Sequence, residues 1–396
     1  MRKLAGMLVS PVLALALVAQ PLLSQTSTVP SSSAASSIES ADKPYHPTDK
    51  DERGLWMQVE EYERQLKISP LVIRDPDLNG YVRSVLCRSV GQAKCAGVRI
   101  YILRTPDFNA NMSPNGMMQV YSGLLLRMRN EAQLASVLGH EFTHYEKNHT
   151  LQLFRDVRSR SNANVWLSMI VGGLISSLLT IPGLYQHSRD MEREADQGGF
   201  ALLAKAGYDT REAAKIWEQL REEMDATAIA RKTKSRKDMN GGMFATHPPS
   251  AERVANLSAM AGKESGTAGN TGAEAYAKAM THFWPLFVDD QLKLNDFGGS
   301  EYLVTSLGKQ GWTDWLYYAR GELYRRRAGE GDLEKAVGFF TDGMTVGSAM
   351  PELWRGRGLA RLKLSLTEDG KADLREYLKR SPNATDKAMI AMMAGG

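Results

Sequence analysis

The chain has 396 residues, of which 43% are hydrophobic and 24% are charged, and its formal net charge is +4. This length suffices for two or three domains and at least one large hydrophobic core. The sequence has neither a zinc knuckle nor a stripe of basic residues interleaved with aromatic ones, which argues against a dedicated nucleic-acid-binding protein.

The first 24 residues have the composition of a secretory signal peptide. Two basic residues precede an apolar run over 4–23 that two prolines interrupt. The alternative is a membrane anchor, for which the run is short. Residues 25–48 are rich in Ser, Thr and Ala, lack apolar periodicity and predict a disordered linker.

Ordered sequence is predicted to begin near Asp49. Apolar periodicity predicts helices over 51–68 and 77–90. Strands are predicted over 98–103 and 117–121, because both segments are short, apolar and rich in strand-forming residues. The segment between the two strands contains Asn, Pro and Gly and is predicted to be a loop.

The chain has two cysteines, Cys87 and Cys95, on either side of Gly91, a residue that suits a turn. In an exported chain we expect them to form a disulfide that closes a small loop. The alternative is a pair of ordinary buried thiols.

A strong helix is predicted to begin after Asn130, and it carries the motif His140-Glu141-Phe142-Thr143-His144. Positions i and i+4 share one face of a helix, so His140 and His144 can bind the same metal ion at about 2.0–2.1 Å. Glu141 lies beside them and can take the proton from a water that the metal activates. A motif this short also arises by chance, so its meaning depends on a third ligand.

Glu192 is the best candidate for that third ligand. It lies in a predicted helix over 186–206, four residues before Asp196, so the two carboxylates share a face. One can bind the metal while the other accepts a hydrogen bond from a ligand imidazole. The weaker candidates are His149, interpreted as a surface or packing histidine, His187 and Glu194.

Residues 165–179 are strongly apolar but shorter than the roughly 20 residues of a membrane span. We interpret this segment as a buried helix or as a flap whose surroundings, 165–182, touch a membrane peripherally. A further alternative is an integral membrane protease anchored by 4–23 and 165–182.

Residues 262–274 are rich in Gly, Ser and Thr and predict a second linker. Beyond it, over 275–396, the pattern predicts pairs of helices. Pro351, Trp354 and Gly358 fall at spacings typical of a tetratricopeptide repeat, and a looser unit precedes them. The alternative is an irregular helical bundle.

Several motifs between residues 75 and 260 occur together. In chain order they are Asn109-Ala110, Gly123-Leu124-Leu125, His140-Glu141-Phe142-Thr143-His144, Glu192-Arg193-Glu194-Ala195-Asp196 and Thr246-His247-Pro248-Pro249-Ser250, followed by Glu252-Arg253. In this combination the chain resembles the exported, BepA-like branch of the zinc endopeptidases that include HtpX and the CAAX prenyl endopeptidases.

The resemblance implies an α+β fold. It implies a mainly helical gluzincin domain with a small β-sheet over 49–261, followed by the helical repeat domain. It also implies one Zn²⁺ per chain on His140, His144 and Glu192, with Glu141 as general base and Asp196 orienting a ligand.

The same resemblance places His247 near the site, where it stabilises the oxyanion, blocks the open metal position or is only a structural loop residue. It also implies that the strand after Asn109 binds substrate as an added β-strand. The family often has Pro-Gly-Gly before this strand, and here the sequence is Pro114-Asn115-Gly116. Because Asn tolerates left-handed backbone, we expect the turn to survive.

The leading functional hypothesis is an exported zinc endopeptidase of a gram-negative periplasm. Its expected substrates are unfolded or misassembled envelope proteins. The resemblance implies that the C-terminal repeats contact the machinery of outer-membrane protein assembly. The second hypothesis is a repeat-based chaperone or scaffold in which the protease site is latent.

Overall fold

A computed structural model describes residues 47–160, 188–237, 250–263, 269–309, 311–347 and 350–395. Four predictions lie wholly or largely outside these residues: the signal peptide over 1–24, the linker over 25–48, the apolar segment over 165–182 and the role of His247. Among the residues that are described, no helix is long and apolar enough to cross a membrane.

The described chain is mainly helical with one four-stranded sheet, which confirms the α+β class. The strands are β1 (Val72–Ile73), β2 (Arg99–Leu103), β3 (Ala110–Met112) and β4 (Met117–Tyr121). The helices are α1 (Lys50–Ile68), α2 (Pro76–Val90), α3 (Gln92–Ala96), α4 (Ser122–Arg127), α5 (Glu131–Glu146), α6 (His149–Arg160), α7 (Arg189–Lys205), α8 (Glu212–Ala230), α9 (Ala251–Lys263), α10 (Ala273–Met280), α11 (Trp284–Leu292), α12 (Phe297–Gly308), α13 (Asp314–Arg327), α14 (Asp332–Thr345), α15 (Glu352–Lys363), α16 (Thr367–Arg380) and α17 (Lys387–Met393).

The first two helices begin where aspartates cap them. The side chain of Asp49 accepts hydrogen bonds from the backbone N–H groups of Asp51 and Glu52, and that of Asp75 accepts one from Leu78. Such caps satisfy N–H groups that have no partner inside the helix. Local signals therefore suffice to predict where α1 and α2 begin.

The sheet has the strand order β1-β2-β4-β3. Its central strands β2 and β4 are parallel, and β1 and β3 pair with them antiparallel at the two edges. The prediction of a continuous loop between β2 and β4 is wrong, because β3 lies within it. Three residues are too few to show the alternation that predicts a strand. As an edge strand, β3 packs beside α5.

The turn before β4 forms, although Asn115 is not the left-handed residue. Gly116 has φ +83°, and a Cβ there would approach the carbonyl oxygen of Gly97 at 2.8 Å. Asn115 instead holds the turn with its side chain, which donates to Glu63 Oε2 at 2.8 Å and accepts from the N–H of Met117 at 3.1 Å. The expected reason for the turn's survival is therefore wrong, while the turn itself is present.

Helices beyond residue 272 share a core with the helices that precede them. Arg127 of α4 donates to Glu223 of α8 at 2.8 Å and to Gln291 of α11 at 3.0 Å, all within the buried interior. The buried hydroxyl of Tyr276 donates to the carbonyl oxygen of Leu125. These contacts fasten α10 and α11 to the sheet-bearing part of the molecule.

Part of the predicted linker over 262–274 is packed. The carbonyl oxygen of Thr271 accepts a hydrogen bond from the N–H of Ala132 at 3.0 Å. A Cβ on Gly272 would lie 2.6 Å from the side chain of Glu131, so this backbone lies tightly against the start of α5. The division of the chain into two domains at this segment stays a prediction.

Farther along, consecutive helices pack as pairs, α13 with α14 and α15 with α16. Phe340 of α14 is fully buried, and its ring lies against Gly321 of α13 and Gly356 of α15. Leu374 of α16 likewise packs over Gly358 of α15. Helix pairs are therefore present where the sequence predicts them.

Candidate metal centre

The helix that carries the motif, α5, is buried along nearly its whole length. It begins at Asn130, whose side chain accepts from the N–H of Gln133 at 2.9 Å. Gln133 reaches back to the N–H of Arg129 rather than to that of the cap residue itself. Two unsatisfied donors are thereby paired, as in a capping box. The helix then places His140, Glu141 and His144 in the interior, each less than 5% exposed.

Glycines bring α7 against α5. A Cβ on Gly199 would lie 2.8 Å from the backbone nitrogen of His140, and one on Gly198 would lie 2.4 Å from the Cγ2 atom of Thr143. Only glycine permits such an approach of two helices. The Gly-Gly pair therefore sets the separation at which Glu192 of α7, 6% exposed, faces His140 and His144.

Three donor groups converge between these two helices. The Nε2 atoms of His140 and His144 are 3.1 Å apart. Glu192 Oε2 lies 3.6 Å from His140 Nε2, and Glu192 Oε1 lies 3.4 Å from His144 Nε2. In a tetrahedron with metal–ligand distances of 2.0–2.1 Å, neighbouring ligand atoms are about 3.3 Å apart. The observed separations scatter around that value, so the three side chains fit one small metal ion.

The outer ring nitrogen of His140 lies against a buried carboxylate. Its Nδ1 atom is 3.0 Å from Asp196 Oδ1. Arg253 of α9 pairs with both oxygens of Asp196, at 2.5 and 2.9 Å, and its Nη1 atom lies 3.0 Å from Glu192 Oε2. The guanidinium lies 3.7 Å from the ring centroid of Trp217, on α8. Burial favours the neutral acid, but Arg253 and His140 hold the pKa of Asp196 below its usual value.

The outer ring nitrogen of His144 has a different partner. Its Nδ1 atom lies 2.8 Å from His149 Nδ1, and His149 Nε2 lies 3.2 Å from Glu194 Oε2. Glu194 in turn pairs with Lys147 at 2.6 Å near the surface. Burial of His149 lowers the pKa of its imidazole, although Glu194 opposes that shift.

These partners determine what faces the centre of the cluster. If His140 Nδ1 donates to Asp196 and His144 Nδ1 donates to His149, both Nε2 atoms carry lone pairs. Two imidazole lone pairs and a carboxylate then face one another within 3.6 Å. Such a set of acceptors is mutually repulsive unless a cation lies between them. The donor set suits a catalytic zinc, which takes three protein ligands of this kind.

Of the residues singled out from the sequence, the structure brings together His140, His144, Glu192 and Asp196, with Glu141 on the same buried helix. Glu194 lies apart from the ligand cluster, with 45% of its side chain exposed. Of the two interpretations of His149, a surface or a packing histidine, the second is correct, because His149 is only 1% exposed. His187 and His247 lie outside the described residues.

Sequence reasoning missed the contributions of Arg253, Trp217 and His149. Arg253 belongs to a sequence motif, but an arginine in a sequence gives no signal about which carboxylate it will meet. Trp217 is 77 residues after His140, the first residue of the histidine motif, and no local pattern relates the two. His149 did carry a signal, since it follows Asn148, a residue type that allows the chain to turn sharply.

Cys87 and Cys95 have their sulfur atoms at bonding distance and their Cα atoms 5.1 Å apart. Disulfides commonly span Cα separations of about 5.5–6 Å. The geometry supports the predicted disulfide, which joins α2 to α3.

Comparisons with known proteins agree with this site. The model of peptidase family M48 matches residues 74–261. A putative β-barrel assembly-enhancing protease of Vibrio cholerae is 29% identical over 179 residues, which cover 41% of this chain and 37% of that protein. Mitochondrial metalloendopeptidase OMA1 of Schizosaccharomyces pombe is 30% identical over 183 residues, covering 45% of this chain and 51% of the relative.

Metalloprotease YcaL of Escherichia coli is 32% identical over 169 residues, covering 40% of this chain and 61% of the relative. The chain thus spans between 37% and 61% of the length of these three relatives. The family model includes the histidine motif, Glu192, Asp196 and Arg253 within its bounds. Residues 74–261 therefore match the metallopeptidase domain of peptidase family M48, as the sequence resemblance predicts.

Proposed function

We propose that the chain is a zinc-dependent endopeptidase of the cell envelope that degrades unfolded or misassembled proteins. The observation that carries this proposal is the convergence of His140 Nε2, His144 Nε2 and the Glu192 carboxylate within 3.6 Å in a buried site. These three groups would hold one zinc ion per chain and leave one ligand position open for the reaction.

Each side chain of the site has a role in this mechanism. When bound, zinc supplies Lewis acidity that polarises the scissile carbonyl and makes water a nucleophile near neutral pH. Glu141 would accept the proton of the attacking water and return it to the leaving amine. Asp196 would hold His140 in the tautomer that keeps Nε2 free for the metal, and Arg253 would hold Asp196 and Glu192 in place.

The position of the edge strand β3 favours a substrate that binds in an extended conformation. It pairs with β4 on one side and packs beside α5, which carries His140 and Glu141. An edge strand offers backbone groups to an incoming peptide, which then adds to the sheet as a further strand. Recognition through the main chain favours unfolded proteins and tolerates many sequences. The strand expected from the sequence to bind substrate, β4 after the Pro114-Asn115-Gly116 turn, is paired on both sides by β2 and β3, so we assign substrate binding to the outer edge of β3 instead.

Location and partners follow from the relatives and from the N-terminal sequence. Two kinds of relative carry the printed names β-barrel assembly-enhancing protease and mitochondrial metalloendopeptidase. With the signal-peptide pattern over 1–24, these names favour a gram-negative periplasm and substrates from outer-membrane protein assembly. Peripheral contact with a membrane through 165–182 belongs to the same proposal.

The helix pairs of the C-terminal region would act as tetratricopeptide-like repeats that recruit a partner or substrate. Their support is the packing of α13 with α14 and of α15 with α16, with glycines under large apolar side chains as such repeats require. We assign 49–261 to the peptidase domain and 275–396 to these repeats. His247 would either stabilise the oxyanion or occupy the open zinc position at rest.

The test compares the full chain with Glu141→Gln, using zinc content and cleavage of casein as readouts. We expect one zinc per chain in both proteins and a loss of cleavage of about 10²–10⁴-fold in the variant, because the general base is gone. Glu146→Gln is the matched control: this glutamate is the last residue of α5, is exposed and pairs with Lys94. It should cleave casein at the wild-type rate.

Three outcomes separate the proposals. A wild-type chain without zinc would overturn the ligand assignment and favour the second candidate, a repeat-based chaperone or scaffold. Zinc without cleavage in either protein would indicate a latent site, and His247→Ala would then be expected to release activity if His247 blocks the metal. Equal cleavage by the wild type and Glu141→Gln would overturn the role of Glu141.

A further inference from the structure

The two ligand histidines have outer partners of different kinds. His140 contacts a carboxylate directly, at 3.0 Å from Asp196. His144 contacts a second imidazole, that of His149, at 2.8 Å between the two Nδ1 atoms. A carboxylate accepts a hydrogen bond in either orientation, whereas an imidazole accepts only through a nitrogen that carries no proton. The support of His144 therefore depends on the tautomer of its neighbour.

The positions of the nitrogens fix that tautomer, provided that the cluster binds a metal as proposed above. His144 directs Nε2 to the ligand cluster, so its proton is on Nδ1. His149 Nδ1 then accepts this proton in a hydrogen bond, and the proton of His149 is on Nε2. That nitrogen lies 3.2 Å from Glu194 Oε2, which can only accept. Each of the two contacts, His144 to His149 and His149 to Glu194, thus joins one donor to one acceptor.

We propose that His149 is a positioning residue for the metal site, and that Glu194 fixes its tautomer. In this arrangement His149 acts as a neutral acceptor that orients the ring of His144 and increases its basicity towards the metal. Glu194 belongs to the helix that supplies Glu192, so α7 supports the site twice: through a ligand and through this outer series of hydrogen bonds.

The local fold explains how His149 reaches this position. The helix α5 ends near Lys147, and Asn148 adopts φ +54°, in the left-handed region. Asn is among the few residues that adopt this conformation readily. The turn redirects the chain, so that the next residue, His149, begins α6 and packs against the side of α5 that carries His144. Continued helical geometry would have pointed His149 elsewhere.

Loss of the contact between His144 and His149 should weaken metal binding, because both imidazoles are buried. His144 and His149 are each 1% exposed, whereas Glu194 and Lys147 are about half exposed at the surface. If His149 lost its acceptor, the Nδ1–H of His144 would be left in the interior without that partner. Groups that hold metal ligands from outside typically change metal affinity by about 10–100-fold when they are removed.

The experiment measures zinc affinity of the full chain by competition with a chelator, for the wild type, His149→Phe and His149→Asn. Phe keeps a ring of similar size but accepts no hydrogen bond, and we expect about 10–100-fold weaker zinc binding. Asn restores an acceptor near the position of Nδ1, so at least part of the affinity should return. Lys147→Ala, which removes only the exposed partner of Glu194, should stay within about twofold of the wild type.

Thermal unfolding of the zinc-free proteins shows whether each variant folds, so that loss of metal is not confused with loss of structure. A second readout is the ¹⁵N spectrum of the histidine rings in the zinc-loaded wild type. We expect the proton of His149 on Nε2 and none on Nδ1.

The opposite tautomer, or a folded His149→Phe that binds zinc as tightly as the wild type, would overturn the role of His149 and leave the proposed function intact. Folded Asn and Phe variants with equally weak zinc binding would also overturn it, since an acceptor would then not matter. A wild-type chain that binds no zinc would instead overturn the proposed function, on which this inference rests.

Discussion

Glycines allow close approach of helices in two regions of the molecule: between α5 and α7, which carry the site, and among the C-terminal helices α13 to α16. The two regions differ in the kind of side chain that this approach buries. Gly199 lets α7 approach the backbone of His140, and Gly321 lets α13 approach the ring of Phe340. Between α5 and α7 the approach buries imidazoles and carboxylates. Between α13 and α14 it buries an aromatic ring.

Because of this difference, substitutions in the two regions should affect the free energy of unfolding and the affinity for metal differently. An apolar ring contributes free energy in proportion to the area and volume that it fills, and its removal has no consequence for a distant group. A buried charge contributes only through its partners, so its removal disturbs each of them. We therefore expect changes in the C-terminal helices to affect unfolding alone, and changes between α5 and α7 to affect unfolding and metal binding together.

The largest effect is expected for Arg253→Met. Met can keep the apolar contact with Trp217, but Asp196 and Glu192 lose the charge that offsets theirs. Breaking a buried ion pair from one side costs about 3–5 kcal/mol of unfolding free energy. Zinc binding should weaken as well, by about 10–100-fold, because the carboxylates that hold and orient ligands are no longer fixed.

Denaturant unfolding of the zinc-free protein and chelator competition measure the two losses. Arg193→Met is the control, since this arginine is on α7 but pairs at the surface with Asp190 and Glu252. A variant Arg253→Met with wild-type zinc affinity would show that the guanidinium stabilises the fold without organising the site.

Phe340→Ala is expected to destabilise the protein by about 3–5 kcal/mol, because a fully buried ring leaves a cavity between three helices. The zinc affinity of the folded molecules should not change. Phe339→Ala, on the half-buried neighbour that stacks on Arg320, should cost less. If Phe340→Ala also weakened zinc binding in the folded state, the two regions would be coupled and would not differ in the way expected here.

Gly199→Ala should cost about 1–3 kcal/mol, because the new Cβ would lie 2.8 Å from the backbone of His140 and α7 must shift. The shift moves Glu192 relative to the histidines, so zinc affinity should fall too. Gly139→Ala is the matched control on the opposite helix: its Cβ would meet Gly199 at 3.4 Å, close to ordinary contact. Equal effects of the two substitutions would contradict the role given to Gly199.

Much of the ligand set follows from local sequence. The i,i+4 spacing of His140 and His144 predicts a shared helix face, and the same spacing relates Glu192 to Asp196. The caps of α1, α2 and α5 are equally local, and the starts of those helices were predicted to within one or two residues. Periodicity and capping act over a few residues, so a single sequence contains the information.

The features that were missed depend on contacts between distant segments. The edge strand β3 is short, and pairing with β4 rather than an alternating pattern makes it a strand. Arg253 meets Asp196 across 57 residues. His149 depends on one backbone angle at Asn148. Spacing along a helix predicts which residues of that helix share a face, but it contains no information about the partner that another helix or turn supplies.

The smallest effect is expected for Asp386→Asn, in the C-terminal region. Asp386 pairs with Arg355 and accepts from the hydroxyl of Tyr377 at 2.9 Å, and its side chain is 20% exposed. Burial works to raise the pKa of this carboxyl, but Arg355 and Tyr377 hold it below its usual value. At neutral pH the substitution should cost about 1 kcal/mol, since a partly exposed pair is screened by solvent.

The stability cost of Asp386→Asn should depend on pH, and the lowered pKa of Asp386 determines in which direction. A carboxyl whose pKa is lower in the folded than in the unfolded chain stabilises the fold above its ordinary pKa, about 4, and this stabilisation is lost as the pH falls through the folded pKa. The difference between wild type and Asp386→Asn should therefore be present at pH 7 and shrink in acid. Asp342→Asn, on an exposed position of α14, should show no such difference. A cost that stays constant down to pH 2 would mean that packing, rather than the charge of Asp386, stabilises this end of the molecule, as it does at Phe340.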